Sequence, residues 1–338
     1  MAPLTNAQWL LAARPQGEIR ESDFEYREVP VPQLEEGEFR VRNIYLSLDP
    51  TNRIWMNDAA SYLPKLELGE VMRGITLGVV EESRNPGFSS GEHVTGLLGW
   101  QRYTVSDATG VAKLPPIPLP LTAHHGLLGH IGFTAYWGLI DIGKPNPGET
   151  LVVSAAAGAV GSLAAQIGKI LGMRVVGIAG SEEKCRWLRE DLGLDGAINY
   201  RTENVAKALS QNCPDGIDVY FENVGGEILE AVLSQINLKA RIVVCGLISQ
   251  YNAQTPPPGP RNLGMILMRR ARMEGFIVTD YLNRSQEAAM KLVGWALEGK
   301  LKYRIDLVQG LENAPSALKR LFTGGNQGKL LVQVSPES

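Results

Sequence analysis

Cysteine is scarce in this chain: three residues in 338, Cys185, Cys213 and Cys245, with none among the first 180 positions. An odd count without paired spacing excludes a disulfide framework and fits reduced thiols. Histidine is also sparse, at four residues, His93, His124, His125 and His130. A catalytic zinc takes about three protein ligands, and the adjacent pair His124 and His125 has no cysteine or carboxylate near it in sequence, so no metal site is expected. No Ser-His-Asp or Cys-His arrangement stands out. Long apolar runs are missing as well. The N-terminal "MAPLTNAQWLLAARPQGEIRESDFEYREV" interrupts its short apolar run with charges, so neither a signal peptide nor a membrane span is expected, and the expected location is cytoplasmic. Charge of one sign is lacking: 33 basic against 36 acidic residues leave a formal net charge of −3. The basic cluster Arg269, Arg270 and Arg272 is too short to form a nucleic-acid face, and no nucleic-acid partner is expected. Low-complexity tracts and fixed-period repeats are absent too.

What is present describes a globular chain long enough for two domains, with 44% hydrophobic and 20% charged residues. Its 37 glycines and 20 prolines indicate many tight turns. Up to about residue 122 the sequence reads as short strands, "FRVRNIYLSL" and "GITLGVVEES" among them, separated by turn signals such as "RNPGFSSGEHV". The proline-rich "AKLPPIPLPLT" marks the exit from this β-rich part. Strands and helices then alternate. "ETLVVSA", "MRVVGIAG", "GAINY", "GIDVYFENVG", "ARIVVCGLI" and "RMEGFIV" read as strands, with helices over "AVGSLAAQIGKILG" and "SEEKCRWLREDLG". That alternation predicts an α/β fold, a doubly wound parallel sheet of Rossmann type over residues 123–302. The tail, "KYRIDLVQG" to "GKLLVQV", is β-like again, and residues 303–338 are expected to rejoin residues 1–122 in the β-rich domain.

Within the α/β part, "AAAGAVGS" joins a strand to a helix where a pyrophosphate can meet backbone N–H groups and the positive helix end. Gly158 permits close backbone approach and Gly161 close helix packing, while Ala156 stands where the dinucleotide fingerprint has its first glycine. Alanine is acceptable there if φ stays negative. The turn by itself is weak evidence, and a packing role is the alternative. About twenty residues on, the second strand ends in Ala179, Gly180 and Ser181 without the acidic residue that holds the ribose hydroxyls of NAD. That gap favours NADP(H), with Ser181 and Lys184 toward the 2′-phosphate; a plain helix N-cap at Ser181 is the alternative.

Ligands of an open parallel sheet bind beyond the carboxyl ends of its strands. Asn223, in "YFENVGG", offers donor and acceptor groups there, and Tyr251, in "CGLISQYN", offers a phenol. With an ordinary pKa near ~10, a phenol stays protonated at neutral pH and can donate to a developing oxyanion. A packing tyrosine is the competing reading.

Taken together and in order, "YLSLDPTNRIWM", "AAAGAVGS", "GSEEKC", "INY", "YFENVGG", "CGLISQYN", "GPRNLGMILMRRARMEGFIV" and "GGNQGKLLV" resemble the medium-chain dehydrogenase/reductases over nearly the whole length. Within them the match is to the zinc-independent, NADPH-dependent 2-alkenal, prostaglandin and curcumin reductase branch. The resemblance implies a GroES-like β-rich domain built from both chain ends beside the Rossmann domain. It implies hydride transfer to the β-carbon of a small-molecule α,β-unsaturated carbonyl substrate, the enolate held by Tyr251 and the nicotinamide ribose hydroxyl, in a homodimer. It places NADP(H) against Ala159, Val160, Gly161 and Ser162 after Gly158. Further contacts are implied at Lys184, Tyr200 and Asn223, and along the segment Cys245, Gly246, Leu247, Ile248, Ser249, Gln250 and Tyr251. Phe276, Ile277, Val278 and Asn326 complete the implied set. The zinc-dependent cousins carry a cysteine at "LSLDP" and Gly-His-Glu at "LGEVM", both replaced here. One departure falls at Asp49-Pro50-Thr51-Asn52-Arg53, where many branch members read Asp-Pro-Tyr-Met-Arg. It leaves Asn52 and Tyr62 as expected substrate-lining residues. Quinone reduction and a catalytically idle NADPH-binding redox sensor are the rival functions.

Overall fold

Strand-forming residues dominate the first third of the chain, and the computed structural model, which describes residues 4–59 and 61–337, folds them as short antiparallel strands. Strand β1 (Thr5–Leu11) pairs with β2 (Phe24–Pro30) as a separate ribbon. Strands β3 (Phe39–Ser47), β4 (Thr76–Ser83), β5 (His93–Gly96), β6 (Tyr103–Ser106) and β7 (Val111–Lys113) follow, with a short helix α1 (Thr51–Trp55) after β3. The prolines of residues 114–122 keep that stretch out of regular structure.

Alternation of strand and helix then sets in as expected. Helices α2 (Ala123–Gly126) and α3 (Gly129–Trp137) lead to β8 (Thr150–Val153), α4 (Ala159–Ile170), β9 (Arg174–Ala179), α5 (Glu182–Arg186) and β10 (Gly196–Asn199). Helix α6 (Val205–Asn212), β11 (Ile217–Glu222), α7 (Gly226–Leu233), β12 (Ile236–Val244), α8 (Gly264–Arg269), β13 (Arg272–Gly275) and α9 (Ser285–Leu297) complete the run. The stretch read as one helix after Ser181 is α5 followed by a wider π turn over Trp187–Asp191. The sheet order is β10-β9-β8-β11-β12-β13, with every pair parallel. This is the doubly wound Rossmann order, and its direction reverses between β8 and β11. Its central strands are unbroken apolar runs, such as Leu151, Val152 and Val153 or Val219, Tyr220 and Phe221, all buried because helices cover both faces. Helix α4 lies so close to the sheet that a Cβ at Gly168 would come within 2.5 Å of the Leu151 side chain.

The chain ends with β14 (Ile305–Gln309), α10 (Ala314–Thr323) and β15 (Lys329–Gln333). These strands extend the N-terminal sheet in the order β14-β15-β3-β4-β5-β7, with β6 on β3. Leu311, Ala317, Leu318 and Val332 share one core with Leu11, Met72 and Trp100. The helix between the two tail strands is amphipathic and starts with a proline in its first turn.

Two compact units result, one of Met1–Thr122, Asp306–Gly325 and Leu330–Ser338, the other of Ala123–Ile305 and Asn326–Lys329. Residues 326–329 thus leave the β-rich unit to which their sequence neighbours belong. The reason is local: Gly328 N donates to Ala157 O at 3.0 Å, and Gly158 and Gly328 form a parallel bridge.

Candidate active site

The glycine-rich turn after β8 keeps its shape without a glycine at position 156. The left-handed residue is Ala155, at φ 47°, and Ala156 is not among the positive-φ residues. Ala156 N donates to Ile178 O at 3.0 Å, and its buried methyl packs where a Cβ on Gly177 would lie only 2.8 Å away. Gly161 has no room for a side chain, since a Cβ would stand 2.4 Å from Ala155 O. Gly158 forms the N-cap of α4 with φ −80° and ψ 175°, and no side chain caps it. The first-turn amides of Ala159, Val160 and Gly161 therefore end a twelve-residue helix with nothing but backbone before them. That end attracts an anion through both its N–H groups and its dipole, so it fits a pyrophosphate. Ser162 is buried, and its hydroxyl donates to Ala159 O at 3.2 Å inside the helix.

At the end of β9, Ser181 does cap α5, its Oγ accepting from Lys184 N at 3.3 Å. A hydroxyl that accepts from the backbone can still donate to a phosphate, so the capping and cofactor roles are compatible. Tyr200, just after β10, lies over Gly180, where a Cβ would meet its hydroxyl and ring at 2.9 Å. Arg201 stacks its guanidinium 5.9 Å from the Tyr200 ring centroid. The nearby acids are engaged: Glu182 with Arg189 at 2.7 Å, and Glu183 with the Gln327 amide at 2.6 Å. Basic and hydroxyl groups therefore collect at these strand ends.

Glu222, at the end of β11, is the fully buried hub between the turn and the pocket. Its Oε1 accepts from Ser154 Oγ at 2.9 Å and from Gly225 N at 3.0 Å, while Oε2 has no partner among the described residues. Burial pushes this carboxyl above the usual range, against the pull of those donors. Its backbone oxygen accepts from Cys245 N at 2.9 Å and Gly246 N at 3.1 Å. Asn223 N donates to Ser154 Oγ at 2.8 Å and Asn223 Nδ2 to Ser154 O at 2.7 Å, so its donors hold the turn while its amide oxygen takes no part in these bonds. Asn223 O and Val224 O then receive Ile248 N and Ser249 N, each at 3.1 Å. The loop after β12 is thereby sewn to the end of β11.

That loop folds Tyr251 back so that its hydroxyl accepts from Leu247 N at 3.1 Å. Tyr251 lines an open pocket of about 470 Å³ at the carboxyl ends of β12 and β13, with Val244, Cys245, Gly246, Leu247, Gly275, Phe276, Ile277 and Asp280. Packing around Cys245, with Glu222 next, pushes its thiol above the ordinary range, although one side of the residue lines the open pocket.

Two family models match the chain, one described as the N-terminal domain of oxidoreductase over residues 7–114, the other as zinc-binding dehydrogenase over residues 159–295. The NADPH-dependent curcumin reductase of Escherichia coli (strain K12) is 45% identical over 335 residues, 98% of this chain and 97% of that protein. The 2-alkenal reductase (NADP(+)-dependent) of Nicotiana tabacum is 42% identical over 340 residues, 99% of each. The chain is a medium-chain dehydrogenase/reductase. It belongs to the branch of the 2-alkenal, prostaglandin and curcumin reductases. The crystal structure of CurA in complex with NADPH from Vibrio vulnificus superposes with a TM-score of 0.93, at 45% identity, over 98% of this chain and 99% of that one.

In this medium-chain reductase the pocket brings together Cys245, Gly246, Leu247, Tyr251, Phe276 and Ile277. Val278 opens the turn that follows, and Ile248, Ser249 and Gln250 form the helical turn before Tyr251. Asn326 lies beside the glycine-rich turn, its Nδ2 donating to Gly328 O at 3.1 Å. Asn52 departs from its expected role. It is 1% exposed, its Oδ1 accepts from Asp49 N at 2.7 Å and its Nδ2 donates to Arg73 O at 3.1 Å, so both ends of the amide hold the turn rather than face a ligand. Tyr62 is 44% exposed, packs edge-on to Trp55, and shares a hydrogen bond with Thr51. An aromatic ring thus reaches position 51 from eleven residues away. The sequence reading missed Asp280, Arg201 and Glu222, although an acid two residues past "FIV" and a base directly after "INY" were available signals. Among the described residues no three His, Cys, Asp or Glu side chains gather as a metal ion would need.

Proposed function

We propose that this protein is an NADPH-dependent reductase that saturates the carbon–carbon double bond of α,β-unsaturated aldehydes and ketones. One observation carries the reading: Tyr251 lines the pocket at the sheet's carboxyl edge while its oxygen accepts a backbone hydrogen bond. A phenol that accepts a hydrogen bond becomes a stronger donor, as an enolate oxygen requires. The names of the relatives, a curcumin reductase and a 2-alkenal reductase, support the same class.

The amides of Ala159, Val160 and Gly161 hold the pyrophosphate. Ser181, Lys184 and Tyr200 hold the 2′-phosphate, and the Asn223 amide oxygen accepts from a ribose hydroxyl. Bound there, NADPH supplies a hydride to the substrate's β-carbon. Tyr251 donates to the carbonyl oxygen as its negative charge grows, and the α-carbon takes a proton from water. The half-buried apolar side chains of Leu247, Phe276 and Ile277 keep water from the reacting carbons.

The test is NADPH oxidation with enals, enones, quinones and alcohols, using the wild type and Tyr251→Phe. Enal and enone turnover is expected, falling about a hundredfold in kcat/KM on loss of the phenol, with the KM for NADPH nearly constant. Turnover of quinones alone, or enone rates indifferent to Tyr251→Phe, would replace this reading with quinone reduction. Tight NADPH binding without any turnover would make the protein a sensor.

No helix among the described residues is long and apolar enough to cross a membrane. The three thiols are all unpaired, which supports a reducing, cytoplasmic location. A homodimer fits the second unit: β13 is an edge strand of its sheet, and the neighbouring α8 presents Leu267 and Met268 at 78% and 68% exposure.

A further inference from the structure

Glu222 is absent from the pocket wall, and no lysine, arginine or histidine among the described residues pairs with its buried carboxyl. A buried carboxyl without a counter-charge is a costly way to hold a fold, and an apolar side chain of similar length would fill the space at less cost. What this one does is set the backbone that follows it. Its Oε1 takes the amides of Val224 and Gly225, and the bend they make continues through Gly225 and Gly226 at φ 81° and 58°. A trans peptide is planar, so an amide drawn to one side sends the carbonyl of the same unit to the other. The unit joining Asn223 to Val224 gives its N–H to Glu222 and its oxygen to Ile248 N. The next unit gives its N–H to Glu222 and its oxygen to both the amide and the hydroxyl of Ser249. Tyr251 follows two residues later, its hydroxyl returning to Leu247 N at 3.1 Å. Ser154, just after β8, closes the circuit by donating to Oε1 at 2.9 Å and accepting from Asn223 N at 2.8 Å.

We propose that Glu222 is a positioning residue for the reduction, holding the Tyr251 phenol in place through two peptide planes and the loop that hangs from them. The assignment rests on the enone-reductase reading. It requires the acceptor at Oε1 and not the rest of the carboxyl, since Oε2 has no partner among the described residues. Glutamine keeps that acceptor. Methionine, of similar length, lacks it and leaves both planes free to rotate. A displacement of about 1 Å in a group that meets the transition state can cost about a hundredfold in rate. The groups assigned to the two phosphate regions stand at the start of α4 and the end of β9, outside this circuit, so cofactor affinity is expected to change far less than turnover.

The experiment is a double-mutant cycle between Glu222→Met and Tyr251→Phe, with Glu222→Gln beside it. Turnover of a straight-chain 2-enal is measured, together with the dissociation constant and stoichiometry of NADPH by fluorescence titration. Glu222→Met should lower kcat by about tenfold or more, with NADPH stoichiometry kept and its dissociation constant nearly constant, and Glu222→Gln should recover most of that loss. In the Tyr251→Phe background Glu222→Met should cost no more than about twofold, because the group it positions is already gone. An undiminished kcat, losses that simply multiply, or a Glu222→Gln as slow as Glu222→Met would overturn the proposal and leave Glu222 a scaffold residue. Should Glu222→Met fail to bind NADPH, Ser154→Ala takes its place in the same cycle, where no loss, or a loss that multiplies with Tyr251→Phe, overturns the proposal equally. No enal turnover by a wild type that binds NADPH would instead overturn the enone-reductase reading itself, and this assignment with it.

Discussion

Glu222 concentrates the residue-scale chemistry outside the reacting groups. One buried carboxylate oxygen gathers the Ser154 hydroxyl and two loop amides, while the other oxygen is left without a partner among the described residues. Its folded pKa lies above the ordinary value, mainly through burial. A raised carboxyl binds more protons folded than unfolded. Its contribution to stability is therefore fully present below the unfolded pKa and is lost as pH rises through the folded one. Glu222→Gln cannot ionise, so the wild type should lose thermal stability relative to this variant as pH is raised from about 4.5. Melting curves across that range check it, and a difference that stays flat or runs the other way would contradict the raised pKa. Nothing in the sequence marks Glu222 as such a hub, because its hydroxyl partner Ser154 lies 68 positions away. Ala156 is the opposite case: steric reasoning on φ alone anticipates that alanine is tolerated there, and the left-handed strain falls one residue earlier.

At the scale of elements, the strand-to-helix junctions were the most legible. The end of β8 with the start of α4, and the end of β9 with the start of α5, follow from glycine spacing and an N-cap serine, both governed by neighbours a few residues apart. Helix α10 was not legible between its flanking strands, since its apolar face acquires meaning only against the core it shares with Trp100 and Val332. The β10 end illustrates the same limit. Arg201 comes to the end of β9 because Tyr200, on whose ring it lies, turns over Gly180, a contact across twenty residues. Lys184 and Arg201 are the cations these elements deliver. Each charge-assisted contact to a 2′-phosphate is worth about tenfold. Lys184→Ala and Arg201→Ala should therefore each lower the kcat/KM preference for NADPH over NADH by about that factor, chiefly by raising the KM for NADPH. Equal losses with both cofactors would remove the residue from phosphate recognition.

At the scale of the whole molecule, the exposed β13 edge and the apolar α8 surface make association the expected state. Light scattering after gel filtration should give a mass near twice 36.8 kDa. Leu267→Lys combined with Met268→Lys should release monomers that keep the wild-type circular dichroism, and a monomeric wild type would refute the dimer. Sequence by itself determined the alternation of strands and helices, the glycine-rich turn and the absence of an acid at the β9 end. Those features depend on period, small residues and local capping, which act within a few positions of the chain. Only the tertiary structure decided that residues 326–329 join the glycine-rich turn, that Asn52 is buried as a scaffold, and that Asp280 is the one charge on the pocket wall. Burial, backbone pairing between distant segments and the company a charge keeps are properties of position in space, and no local pattern carries them.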